Sequence, residues 1–200
     1  MPPSMPLFAT HADWLSVFWT SYAAWFLMEL WIRSRDRRPA KGEAKDRGSR
    51  FGFMLFIPAG LLIAFFAAFA SPATRIAGQP HAVFWSAIAI IWIGMALRMW
   101  AVVTLGRFFR TSVFVLEDHR LITSGPYRWL RNPSYTGALV TMAGIGLALG
   151  NWLSLLMAPG AITIALALRI RVEDGAMRER FGEAYAAYVR RSWALIPLIW

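Results

Sequence analysis

Two polar stretches of this chain carry residue types that could do chemistry. One runs His119-Arg120-Leu121-Ile122-Thr123-Ser124-Gly125-Pro126-Tyr127 and on through Arg131-Asn132-Pro133-Ser134-Tyr135-Thr136-Gly137. The other is Arg169-Ile170-Arg171-Val172-Glu173-Asp174, followed by Arg180-Phe181-Gly182-Glu183-Ala184-Tyr185-Ala186-Ala187-Tyr188. In the first, two X-Pro steps flanked by Gly125 and Gly137 remove donors and force irregular backbone. Such backbone either joins two helices as an ordinary interfacial loop or offers its N–H and C=O groups to a ligand. A helix starting at Asn132-Pro133 or Ser134 would present a positive dipole end to an anionic group, such as a carboxylate. In the second, Arg169 and Glu173 lie one helical turn apart. On an exposed face that spacing is a salt bridge worth about 0.2–0.5 kcal/mol. In a pocket it is a cation and an anion that can grip different parts of a zwitterionic ligand and an anionic substrate. Spacing alone does not separate the two. Cysteine is absent, which excludes disulfides, thiolate metal sites and cysteine nucleophiles.

The elements that position these residues are apolar. The chain is 58% hydrophobic and 16% charged, whereas soluble domains carry about 25% charged residues. Eleven tryptophans suit a membrane–water interface. A bilayer core of roughly 30 Å takes about 20 apolar helical residues, and five segments qualify: Asp13 to Ile32, Phe51 to Ala70, Ala82 to about Thr104, about Ser134 to Leu149, and Trp152 to Leu168. The break at Gly150-Asn151 admits only a tight helical hairpin. Backbone polar groups in lipid must be satisfied internally, so these runs are read as helices. The fold expected is therefore an all-α integral membrane protein of about five spans, with its chemistry at the cytoplasmic surface near the C-terminal half; the resemblance described below makes that place a cytoplasmic cofactor pocket. Residues 1–104 supply the first three helices and a basic loop, and residues 105–200 supply the chemistry.

Basic residues set the orientation. Eight Lys or Arg lie between Arg33 and Arg50, five between Leu105 and Pro133, and six from Arg169 onward, against Arg75 alone in the gaps on the other side. The positive-inside rule then puts the N-terminus outside and the C-terminus in the cytoplasm. The net charge of +10 follows this topology and does not point to nucleic acid. The first basic residue is Arg33, so no basic n-region marks a cleaved signal peptide. Two charges fall inside apolar runs: Glu29 is expected to pair with Arg33 one turn away, and Arg98 to snorkel to the interface. The segment Arg35 to Arg50 reads as a mobile cytoplasmic loop.

The polar motifs resemble the signatures of the isoprenylcysteine carboxyl methyltransferase family, which extends to the phospholipid methyltransferases. His119-Arg120-Leu121-Ile122, Gly125 with Tyr127, Arg131-Asn132-Pro133-Ser134-Tyr135 with Gly137, Arg169 with Glu173-Asp174, and Phe181-Gly182 with Tyr185 and Tyr188 follow the family's order and spacing. The resemblance covers roughly Gly106 to Trp200, and the first hundred residues match only as hydrophobic spans. It implies S-adenosyl-L-methionine as cofactor. His119, Arg120, Leu121 and Ile122 match the adenosine-side stretch, and Tyr127 a further cofactor contact. Asn132, Pro133, Ser134 and Tyr135 match the part that holds the methionine moiety, and Glu173 the residue that receives its amino group. Arg169 matches the catalytic residue that meets the substrate carboxylate. Two positions depart from the family pattern. Asn132 replaces a histidine and can donate a hydrogen bond but not carry a proton, and Asp174 replaces a glutamate.

The resemblance thus implies O-methylation of the carboxylate of a lipophilic, isoprenylcysteine-like substrate, with no metal and no nucleic acid as partner. A phospholipid-type N-methyltransferase would share the cofactor site but gain little from a substrate-facing arginine. A sterol-type reductase shares the Asn-Pro-x-Tyr ending but uses NADPH and generally has more spans. A membrane scaffold would leave the Arg169–Glu173 pair without a role. The location expected is a membrane, for a bacterial chain the inner one.

Overall fold

The computed structural model describes residues 5–35, 42–44, 49–111, 114–116, 118 and 120–199, with side chains described for these except at 42–44, 49–54, 72 and 114–116. Each apolar run becomes a helix: α1 Ala12–Arg35, α2 Ser49–Ala70, α3 Pro80–Leu105, α4 Pro133–Ala148 and α5 Trp152–Phe181, followed by the short α6 Glu183–Val189. Pro80 and Pro133 open α3 and α4, where a missing N–H costs nothing. The expected hairpin is present, and Asn151 caps α5 by accepting from the amides of Leu153 and Ser154 at 2.9 and 3.3 Å. Helix α5 does not stop at Leu168 but continues to Phe181. Its last turns therefore carry Arg169 and Glu173 as one rigid piece with the apolar stretch.

Among the described residues, Pro80–Phe108 and Trp152–Phe181 are long and apolar enough to cross a membrane, and Leu55–Ala70 is a shorter apolar helix. Outward-facing side chains are apolar too: Leu27, Leu62 and Phe66 are 63%, 71% and 73% exposed. Such surface is a liability in water but matches lipid tails.

Helix α4 lies between α3 and α5, α2 packs on α5, and α1 packs on α3. Phe65 of α2 meets Phe18 of α1 at 6.3 Å between ring centroids. Helices α3 and α4 approach backbone to backbone. A methyl group on Gly137 would lie 2.6 Å from the amide nitrogen of Arg98 and the carbonyl of Gly94. Small residues permit this approach where lipid removes any hydrophobic drive between helices.

Three sequence expectations are corrected here. Glu29 does not turn to Arg33, and Arg98 does not snorkel. Arg98 grips Glu29 across the α1–α3 contact, Nε to Oε1 at 2.5 Å and Nη2 to Oε2 at 2.8 Å. Both side chains are largely buried, 12% and 17% exposed, and buried charges pair with whatever partner the packing brings, not with the nearest in sequence. The basic loop is also not uniformly loop. Gly42–Ala44 (β1) pairs antiparallel with Phe114–Leu116 (β2), Glu43 opposite Val115, so the fold is helical with a small two-stranded ribbon. Three residues give no detectable alternation in sequence.

Candidate cofactor pocket

The loop between α3 and α4 is shaped by its own turns and by the C-terminal tail. Gly125–Arg128 forms a single 3-10 turn that buries Pro126 and Tyr127. The tail then runs alongside the loop. The amide of Arg131 donates to the carbonyl of Trp193 at 2.8 Å, and the amide of Trp193 to that of Trp129 at 2.9 Å. Asn132 Nδ2 donates to the carbonyl of Ala194 at 2.9 Å, and Thr136 Oγ1 to that of Leu195 at 2.6 Å. The guanidinium of Arg131 donates to the carbonyl of Ser192. Leu195 is fully buried.

Helix α5 ends at Gly182, whose φ of 52° and ψ of −125° suit glycine and strain other residues. The chain turns there into α6, and this turn brings Tyr185 and Tyr188 back toward the loop. Tyr188 donates to the carbonyl of Tyr127 at 2.7 Å, and Tyr185 to Asp174 Oδ1 at 2.5 Å.

A cavity of about 130 Å³ opens between loop, α5 and α6. Its lining mixes apolar and aromatic residues (Leu105, Phe108, Phe109, Leu121, Ile122 and Met177) with a polar set: Arg110, Arg120, Arg131, Asn132, Ser134, Tyr135, Glu173, Asp174 and the tyrosines. At its polar part the Tyr135 hydroxyl donates to Glu173 Oε1 at 2.5 Å and accepts from Arg169 Nε at 2.6 Å. Arg169 Nε also reaches Glu173 Oε1 at 3.0 Å. Burial pushes the phenols of Tyr127 and Tyr185 well above their usual 10.0, helped by the charges of Glu173 and Asp174 respectively. Burial raises Tyr188 as well, to about 12. All three stay neutral at working pH and remain hydrogen-bond donors.

Of the residues singled out from sequence, Arg120, Leu121, Ile122, Tyr127, Asn132, Ser134, Tyr135 and Glu173 line this cavity. His119 lies outside the described residues. Pro133 does not line it; it is buried as the first residue of α4. Arg169 does not line it either. It sits behind Tyr135 and Glu173, only 4% exposed at its side chain. The amides expected to stand open at the start of α4 are partly used, because Tyr135 and Thr136 both donate to the carbonyl of Asn132, at 2.9 and 3.0 Å. The amide of Asn132, expected to face a ligand, is spent on the tail. The sequence motifs contained Arg131, Asp174, Tyr185 and Tyr188 but gave them no place in the pocket, which they line. Leu105, Phe108, Phe109, Arg110 and Met177 were missed as lining, because apolar residues and a basic residue at a helix exit read as span and topology.

Residues 87–179 match the model of the isoprenylcysteine carboxyl methyltransferase family. The chain is 33% identical over 116 residues to protein-S-isoprenylcysteine O-methyltransferase of Schizosaccharomyces pombe, covering 57% of this chain and 49% of that protein. It is 31% identical over 114 residues to protein-S-isoprenylcysteine O-methyltransferase B of Arabidopsis thaliana, covering 56% and 58%. The chain thus spans about half the length of these curated relatives. The solved structure of the eukaryotic intramembrane Ras methyltransferase (isoprenylcysteine carboxyl methyltransferase) superposes with a TM-score of 0.60 at 26% identity, covering 74% of this chain and 52% of that one. None of these favours the phospholipid-type or the sterol-reductase reading. The matched stretch contains every cavity residue except Tyr185 and Tyr188, and with it the resemblance to the isoprenylcysteine carboxyl methyltransferase family is borne out.

Proposed function

We propose that this chain is an integral membrane methyltransferase that transfers a methyl group from S-adenosyl-L-methionine to the carboxylate of a lipophilic, isoprenylcysteine-like acceptor. In this reading α1 to α5 each span the bilayer, the N-terminus lies outside, and the pocket opens to the cytoplasm. The carrying observation is the cluster in which the Tyr135 hydroxyl bridges Arg169 and Glu173 at the polar part of the pocket.

The lining fits the cofactor's groups. Glu173 and Asp174 supply carboxylates for an ammonium, and Arg120, Leu121 and Ile122 line the adenosine side; His119, outside the described residues, joins them by the resemblance alone. Tyr127 is a further contact, and Asn132, Ser134 and Tyr135 hold the methionine moiety, with Pro133 opening α4 behind them. When bound, the cofactor supplies an activated methyl group on a sulfonium. No general base is needed, because a carboxylate acceptor is already ionised at neutral pH. The protein's task is alignment and exclusion of water, and orientation can contribute about 7–11 kcal/mol. Arg169 is one turn nearer the apolar part of α5 than Glu173. Its plane is fixed through Nε by Tyr135 and Glu173, and a fixed guanidinium is what a two-pronged grip on an acceptor carboxylate requires. The acceptor then approaches from the lipid side and the cofactor from the aqueous side.

Calorimetry with S-adenosylhomocysteine tests the reading. The native protein should bind it, and Glu173→Ala should weaken binding by about 3–5 kcal/mol, the cost of stripping a buried charge of its partner. Equal affinity of the two proteins removes Glu173 from the site, and binding of NADPH in place of the thioether would overturn the reaction class.

A further inference from the structure

Glu29 and Arg98 form no part of the pocket wall, yet they reach it. Two of Arg98's nitrogens, Nε and Nη2, are committed to the Glu29 carboxylate. The third, Nη1, donates to Ser134 twice, to its carbonyl at 3.1 Å and its hydroxyl at 2.9 Å. A guanidinium is planar and its donors are in fixed relation. With two of them clamped by Glu29, the place of the third is set, and so is the place of Ser134. Ser134 is 5% exposed and opens the first turn of α4. The next residue, Tyr135, is the one whose hydroxyl joins Arg169 to Glu173.

We infer that Arg98, held in plane by Glu29, is a positioning residue for the cofactor pocket, fixing the first turn of α4 so that Ser134 and Tyr135 stand where the ligand needs them. Two further observations support this. Helices α3 and α4 touch backbone to backbone one turn on, at Gly137 against Arg98, so an error in the seat of Ser134 cannot be absorbed by the helix sliding. And an ion pair buried among apolar helices is a poor choice for stability alone, since well-packed apolar residues do as well or better. Helix α1 lies outside the matched stretch 87–179 and lines no part of the cavity, so this pair gives it a share in the site.

The inference rests on the cofactor reading above, and the test keeps the two apart. Arg98→Lys retains a charge for Glu29 but cannot hold Ser134 in the same plane. The reciprocal swap Glu29→Arg with Arg98→Glu retains the ion pair but puts an acceptor against the Ser134 carbonyl. For each variant the melting temperature in detergent, the affinity for S-adenosylhomocysteine, and the KM for cofactor and for acceptor are measured. The expected result is a melting temperature close to native with cofactor affinity roughly ten- to a hundredfold weaker, the scale of a lost charge-assisted hydrogen bond. Cofactor KM rises in parallel and acceptor KM stays in place. If the native protein does not bind the thioether, the cofactor reading itself falls. If the native protein binds it and Arg98→Lys binds it equally well, with the same cofactor KM, the positioning role is overturned. Should both variants fail to fold, Glu29→Gln keeps an oxygen on Arg98 while removing the charge. Native cofactor affinity in that variant overturns the inference equally.

Discussion

Helix α3 has two neighbours and meets them by opposite means. Toward α4 it offers almost no side chain: Gly94 and Gly137 let the backbones touch, and Gly144 sits against the Ile91 amide, where a methyl group would come within 2.8 Å. Toward α1 it offers rings and one ion pair. Trp14 stacks on Phe84 at 4.6 Å between centroids, Trp92 Nε1 donates to Ser21 Oγ at 3.2 Å, and Arg98 holds Glu29. A backbone contact fixes position to a fraction of an ångström and tolerates no substitution. A ring contact buries more area but can rearrange. The stiff interface is the one that seats Ser134 and Tyr135 at the pocket, and the compliant one holds a helix that lines no part of it and reaches Ser134 through Arg98.

That contrast can be broken by mutation. The largest effect is expected at Gly137→Ala, whose methyl would overlap the Arg98 amide and the Gly94 carbonyl. Overpacking costs about 1–3 kcal/mol, and both melting temperature and cofactor affinity should fall together. Tyr188→Phe should cost about 1 kcal/mol, the loss of a buried hydrogen bond, with a signature in pH. The Tyr188 phenol is raised from 10.0 to about 12. Its neutral form therefore favours the fold fully below pH 10, and that contribution is lost as pH climbs toward about 12. Alkaline melting curves of Tyr188→Phe should decline less steeply than native ones over that window. Trp14→Leu on the compliant side should remove about 0.5–1.5 kcal/mol of ring stacking and lower the melting temperature with cofactor affinity unchanged. A loss of affinity there would erase the distinction between the two interfaces. The smallest effect belongs to Gly160→Ala in α5. Nothing lies within 4 Å of the added methyl, and alanine is the better helix former, so the melting temperature should hold or rise slightly.

How much of this was legible in the sequence depended on range. The helices were, because each is a continuous apolar run, and boundaries differed by a few residues except at the end of α5. There the apolar run ends at Leu168, and Arg169 and Glu173 read as one turn apart on the helix just beyond it, whereas the helix runs on to Phe181. The pocket's loop was legible from its prolines and glycines, and Tyr135 and Glu173 from their motifs. What stayed hidden is contact between distant segments. Glu29 and Arg98 are 69 residues apart, and an i,i+4 partner at Arg33 was the only pairing that spacing could suggest. Ala194 and Leu195 are ordinary apolar residues, and their carbonyls, not their side chains, hold Asn132 and Thr136. No residue type announces that role.

The continuity of α5 has a physical consequence for the lipid around it. Thirty residues of helix extend about 45 Å at 1.5 Å per residue, against a hydrocarbon core of roughly 30 Å. The helix therefore works as a depth gauge, with its apolar part matched to the bilayer and Arg169 and Glu173 marked off just beyond. A thicker bilayer would draw those two groups toward the hydrocarbon, and a thinner one would lift them away from an acceptor anchored by its tail. Mismatch of this kind is met by tilt at a cost of fractions of a kcal/mol per ångström. On the methyltransferase reading, activity in vesicles should accordingly pass through an optimum in acyl-chain length, because the rod proposed to span the membrane would also set the height at which donor and acceptor meet.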